Sequence, residues 1–314
     1  MNILQSSIIL LAASSFMAFA GEKIDKSMTV KDVTSVEVEN LRGQVKIVGK
    51  STDTIKVKGE LDDDAEGFTF EQNGSVVLIK VEMPRHLSNN WSRNETKLEV
   101  SLPEHLNVSF SGVSTDLALS GIKADVNANS VSGNIKIDDV GKRLEVSSVS
   151  GDIMAKNLGK STHLSSVSGN VLTSGSSGQL FVKTVSGDID ATTTATQVEA
   201  KNVSGEIELS LGDVDELVMS TVSGDVDVDL ALNDDGKIKL SSVSGDFELN
   251  FTNDVQAIFR LRANAGGDLI NRLTNDRAVE DKYGPSSRLS FETGNGSSRV
   301  NGSTVSGNVE LNRK

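Results

Sequence analysis

Aliphatic residues recur along this chain at a period far longer than one helical turn or one strand. Count from Val131. Val131, Ile135, Ile137, Val140, Leu144 and Val146 fall at positions 0, 4, 6, 9, 13 and 15, and the series restarts at Val149. It divides into two similar halves of nine residues. In each half, two aliphatics two apart mark a short strand with alternate side chains inward, and a third marks a corner. A helical period of 3.6 is absent. On this pattern the leading Val belongs to the interior. Gly in the turns is expected to supply conformations that other residues resist.

The repeat is marked by a block, Val131-Ser132-Gly133-Asn134-Ile135. The block returns at Val149, Val167, Val185, Val203, Val222 and Val243, in steps of 18, 18, 18, 18, 19 and 21 residues. A degenerate copy starts at Val113 and a last one at Val305. Internal repeats of this length signal architectures in which each unit packs only on its neighbours. The expected fold is all-β: a parallel β-solenoid (β-helix) with 18-residue coils, two short strands per coil and stacking at about 4.8 Å. Parallel crossovers favour right-handed winding.

Four segments follow. Residues 1–20 read as a signal peptide, with Ile8–Ala13 apolar and Ala18-Phe19-Ala20 as a small-x-small cleavage site, although the n-region lacks Lys and Arg. Residues 21–110 form a first coil and an N-terminal β cap, in which Asn73-Gly74 is a hairpin turn. Residues 111–250 are the solenoid body. Residues 251–314 are C-terminal coils and a second cap. Residues 21–314 form one continuous domain. Capping matters because open strand edges recruit other chains.

These residues resemble the bacterial putative-adhesin family of β-strand-repeat proteins, a domain of no settled function. The resemblance rests on Val36-Glu37-Val38-Glu39-Asn40-Leu41-Arg42-Gly43, on the Val-Ser-Gly-Asp blocks, and on Gly294-Asn295-Gly296 followed by Thr304-Val305-Ser306-Gly307-Asn308-Val309. It covers nearly the whole chain after residue 20. It implies the same fold and an exported location, periplasm or cell surface. It carries over no catalytic residues.

Composition narrows the chemistry. The 314-residue chain is 37% hydrophobic but only 4% aromatic, so the core must be aliphatic. A net charge of −13 argues against nucleic acid or an anionic membrane surface as partner. There is no cysteine, which excludes disulfides and Cys-based zinc sites. After residue 20 no segment could span a bilayer as a helix. The three histidines, His86, His105 and His163, lack metal-site spacing, and His163 at position 14 should face solvent. No Gly-x-Ser-x-Gly elbow occurs, and the repeated serines read as a turn ladder. Gly294-Asn295-Gly296 lacks the third glycine of a dinucleotide loop. The calcium-binding nonapeptide is missing. The chain reads as a non-enzyme.

One constellation remains. Positions 3 and 5 flank inward position 4, so both should face solvent. In the later coils both are acidic: Asp188 and Asp190, Glu206 and Glu208, Asp225 and Asp227, Asp246 and Glu248. Like charges opposed across strands destabilise a sheet. The array is therefore the candidate binding face, for Ca²⁺ or for a basic partner, an unknown protein or envelope component. The plain alternative is a solvated acidic face that keeps the protein soluble. Two further readings compete with an adhesin-like interaction protein. One is a polysaccharide-binding or, further off, polysaccharide-cleaving β-helix. It is disfavoured because Phe181 is the only aromatic residue between Ser111 and Asp246, and Trp91 lies in the N-terminal elaboration. The other is end-to-end assembly into filaments, which caps would oppose. Partner, envelope side and oligomeric state stay open.

Overall fold

A computed structural model describes residues 21–84 and 94–314. The signal-peptide reading, His86 and Trp91 lie outside the described residues. The protein is all-β: among the described residues 25 strands join one hydrogen-bonded sheet, and there is no helix. Accordingly, no helix is long and apolar enough to cross a membrane, which says nothing of β-barrels.

The repeated body is solenoid-like. Its first wall stacks Ile135–Val140, Ile153–Leu158, Val171–Ser176 and Ile189–Thr193 in parallel register. Its second wall stacks Val126–Ser130, Arg143–Ser148, Ser161–Ser166, Gln179–Lys183 and Gln197–Lys201, also parallel. Ile153 pairs with Ile135 on one side and Val171 on the other, so each repeat lies on its own equivalent. Where the sequence step lengthens, two long strands, Ile207–Ser220 and Val226–Ser241, serve both walls, and their pairing carries register shifts between Ser210 and Asp213 and between Val214 and Glu216. One buried cluster runs from Ile24 to Leu311 between the walls, built mostly of Val, Ile and Leu.

The leading Val is not part of that cluster. Val131 is 44% exposed and Val243 46%, with Val113, Val149, Val167, Val203, Val222 and Val305 alike. The inward aliphatic positions are 4, 6, 9, 13 and 15; position 0 sits on the outside of a corner. A simple two-residue alternation mispredicts it because the corner interrupts the strand.

The ends depart from parallel stacking. At the first wall's N-terminal end, Gly43–Lys50 pairs parallel with Thr96–Pro103, which pairs antiparallel with Thr54–Glu60, itself antiparallel to Lys23–Thr29. On the second wall, Ser35–Glu39 pairs parallel with Val76–Lys80, and that strand forms an antiparallel hairpin with Gly67–Asn73 through Asn73-Gly74 as expected. A buried ion pair holds this cap: Arg42 grips Asp62 through two nitrogens and reaches Asp64 at 3.2 Å. At the other end, Ser298–Thr304 pairs directly with Lys237–Ser241 and Val309–Arg313 with Phe247–Phe251, so residues 252–297 leave the stack and return. Ala257–Ala263, within that excursion, pairs with Ser287–Glu292 and Ser298–Thr304. Phe259 stacks on Phe291 at 4.4 Å and meets Phe251 edge-on at 5.9 Å, and with Phe247 these form an aromatic part of the core at this end, while Phe68 and Phe110 are buried at the other.

Candidate functional site

The corner is built from the residue before each block. Ser130, Ser148, Ser166, Thr184, Asn202, Thr221, Ser242 and Thr304 are all buried. Each bonds across the corner to the glycine three residues on. Ser148 Oγ accepts from Gly151 N–H at 2.9 Å, and Thr184 Oγ1 instead donates to the Gly187 carbonyl at 2.7 Å. A buried hydroxyl or amide closing a tight turn in this way satisfies a backbone group that would otherwise be stranded. Sequence reading passed over these residues, because a small polar residue beside a turn reads as loop. The usable signal was that the position never carries a charge in any repeat.

The glycines serve close approach rather than unusual torsion. Of the block glycines only Gly205 has a left-handed φ, 127°. A Cβ on Gly151 would lie 2.0 Å from the Gly133 carbonyl oxygen, and the same clash recurs at Gly169, Gly187, Gly224, Gly245 and Gly307. Left-handed residues occupy the other corner instead: Gly121, Asp139, Asn157 and Gly175. The serines form a turn ladder: Ser150 N–H bonds the Val131 carbonyl at 2.8 Å, and Ser223, Ser244 and Ser306 add hydroxyl bonds to the valine carbonyl below, each at 3.3 Å.

Position 3 is a side-chain ladder. Asp116 accepts from the Asn134 backbone N–H at 2.9 Å, Asn134 from Asp152 at 3.0 Å, and Asp152 from Asn170 at 2.9 Å. Asn170 serves Asp188, and Asp188 serves Glu206, both at 2.9 Å. The ladder resumes from Asp225 to Asp246 at 3.1 Å and from Asp246 to Asn308 at 2.7 Å. Asp and Asn alternate freely here because both offer the same acceptor oxygen one rung up. Three of the eight residues in the predicted acidic array, Asp188, Asp225 and Asp246, therefore support backbone first.

Position 5 is different. Strand pairing lays it out as one column along the first wall: Glu310, Glu248, Asp227, Glu208, Asp190, Leu172, Met154, Lys136, Ala118, Lys46, Glu99 and Lys58. One end is acidic, the centre half-buried apolar, and the other end rich in lysine. The structure brings Asp190, Glu208, Asp227 and Glu248 together on consecutive rungs as expected. Asn250 donates to Asp227 at 3.0 Å and Asn312 to Glu248 at 2.8 Å. Cations close the acidic end: Arg272 reaches Glu310, and Lys314 reaches Asp229. An open groove of about 360 Å³ lies among Glu206, Asp225, Asp227, Asp246, Glu248 and Glu310. A second, of about 590 Å³, lies on the same face among Lys46, Lys58, Lys97 and Lys136. Among the described residues no group of three or more His, Cys, Asp or Glu is arranged to hold a metal.

The second wall holds one aromatic pair. His163 and Phe181 stack at 4.2 Å with rings 16° apart. Lys201, in the strand beyond, lies 5.6 Å from the Phe181 centroid, so both ring faces are covered. Burial of the His163 ring lowers its pKa below the ordinary 6.5, against a smaller pull upward from Glu145. His163 is thus half-buried rather than free in solvent. A sugar stacking on Phe181 would first have to displace one of these partners.

The family model described as Toastrack DUF4097 matches residues 33–253. In structure, the chain is similar to a putative adhesin from Parabacteroides distasonis, at 13% identity and TM-score 0.51, over 73% of this chain and 97% of that one. A putative adhesin from Parabacteroides merdae is similar at 12% identity and TM-score 0.47, over 74% of this chain and 97% of that one. No curated protein matches. At such identity the first of these likenesses bears on fold alone.

Proposed function

The chain belongs to the Toastrack DUF4097 family, and from that premise we propose that it is an exported, non-enzymatic interaction protein of the cell envelope. In this reading an adhesin-like β-solenoid, wound right-handed in 18-residue coils as one domain, presents its first wall to a partner. The position-5 column is the observation that supports it. Its side chains project from a rigid wall, in register, over more than ten rungs, and Asp190, Glu208, Asp227 and Glu248 face outward with like charges adjacent. Adjacent carboxylates repel, and a cationic surface laid over them would relieve that repulsion.

Fractionation combined with a binding assay tests the reading. The protein should partition to the periplasm or cell surface. Purified protein should bind isolated envelopes at low salt and lose that binding near 1 M salt, where screening is short-ranged. Glu208→Lys with Asp227→Lys should weaken binding without lowering the melting temperature. Cytoplasmic residence, or binding indifferent to both salt and charge reversal, would sink it.

A further inference from the structure

The first wall is complementary to itself. Its acidic groove and its lysine groove lie on one face, on either side of the half-buried pair Leu172 and Met154. We propose that this face docks a second copy of the chain, antiparallel, about a twofold axis that runs along the strand direction between the Leu172 and Met154 rungs.

That axis fixes every contact in the column, because rungs are evenly spaced. Leu172 of each copy meets Met154 of the other. One rung out, Asp190 meets Lys136; three rungs out, Asp227 meets Lys46. Lys136 has no ion-pair partner within its own chain among the described residues, and it stands exposed beside Met154. Within the column the one like-charge match is Glu248 over Glu99, and Glu99 already pairs with Lys46 at 3.4 Å; at position 3 the same axis sets Glu206 over Asp116 but Asp246 over Lys97. Two copies bring each acidic end against a lysine end, as a self-complementary twofold interface requires. A parallel arrangement would set acid on acid.

The area suffices. Eleven rung spacings of about 4.8 Å give roughly 53 Å, and positions 3 to 7 span about 13 Å. The product is about 700 Å² per copy, close to the ~800 Å² per partner of a standard stable interface. An apolar centre with charged flanks matches the usual anatomy of such interfaces.

The inference rests on reading this wall as an interaction surface, but it fails separately. Sedimentation velocity on the purified chain, at 1–100 µM and low salt, should show a dimer that dissociates as salt rises. Asp190→Lys alone and Lys136→Glu alone should each weaken association at least tenfold. The two together in one chain should restore it, because each reversed residue then faces its reversed partner. Circular dichroism melting of each variant confirms that the fold is kept. A monomer throughout this range, or a double variant no better than either single one, overturns the dimer. Envelope binding by such a monomer would leave the broader reading of the wall intact.

Discussion

A side-chain carbon added to Gly187 would lie 2.1 Å from the backbone oxygen of Gly169, one coil away. Backbone lies on backbone there, so nothing flexible can yield. Gly187→Ala should cost about 3 kcal/mol or more, the upper range for overpacked sites. Gly284, with no atom within 4 Å of its added carbon and no left-handed φ, is the control; Gly284→Ala should stay within about 0.5 kcal/mol. Chemical denaturation of both variants checks this. Equal stability for the two would show that the coils do not approach so closely at Gly187.

Val149 and Ile153, four residues apart, face opposite ways. Val149 is 45% exposed at the corner and Ile153 is 1% exposed. Val149→Thr should therefore shift stability by less than about 1 kcal/mol. Ile153→Ala should cost about 2–5 kcal/mol, as truncation of a buried isoleucine does. Guanidinium melts compare the two. If Val149→Thr proved as damaging as Ile153→Ala, the corner would be part of the core after all.

Asp152 accepts from the Asn170 backbone and its own backbone donates to Asn134. Asp152→Ala removes an acceptor and should cost about 1 kcal/mol. Asp152→Asn keeps the acceptor and should be neutral, as the native Asn134 and Asn170 already suggest. Asp190→Asn, on the outward column, should be neutral or stabilising in the monomer, at protein concentrations below association, since it relieves repulsion between neighbouring rungs. Thermal melts of the three variants at one ionic strength discriminate. Matching losses at Asp152→Asn and Asp152→Ala would mean that charge, not hydrogen bonding, matters at that position.

The repeat made most of the fold legible. Equal spacing of Val-Ser-Gly blocks is enough to lay Ile135 over Ile153, since parallel stacking needs only identical register. The inward sense of Ile135, Ile137 and Leu144 followed from alternation. Val131 was misread because alternation holds within a strand and fails across a corner. Gly151 was assigned to the turn for its torsional freedom, whereas its neighbour Gly133 is what forbids a side chain. That distance depends on coil-to-coil approach and leaves no trace in one repeat. The acidic column was readable as far as Asp190 to Glu248. Its lysine end was not, because Lys58 reaches the face through an antiparallel cap strand, and Lys46 lies over Ala118 from a coil 72 residues earlier that lacks the Val-Ser-Gly block.

His163 gives the second wall a pH response. Its ring is stacked on Phe181, and burial lowers its pKa below the ordinary 6.5. As pH falls from neutrality, an unfolded chain takes up this proton first. Between the ordinary value and the lower native one, unfolded protein holds more protons than native protein, so native stability declines with falling pH across that window. Above about 6.5 the contribution is complete, and below the native pKa it changes no further. The melting temperature of the native chain should thus drop from pH 7 to pH 5 more than that of His163→Gln, which cannot take up the proton. Parallel pH profiles for the two proteins would place this loss elsewhere, and the stacked ring would then be exposed enough to titrate as it does in water.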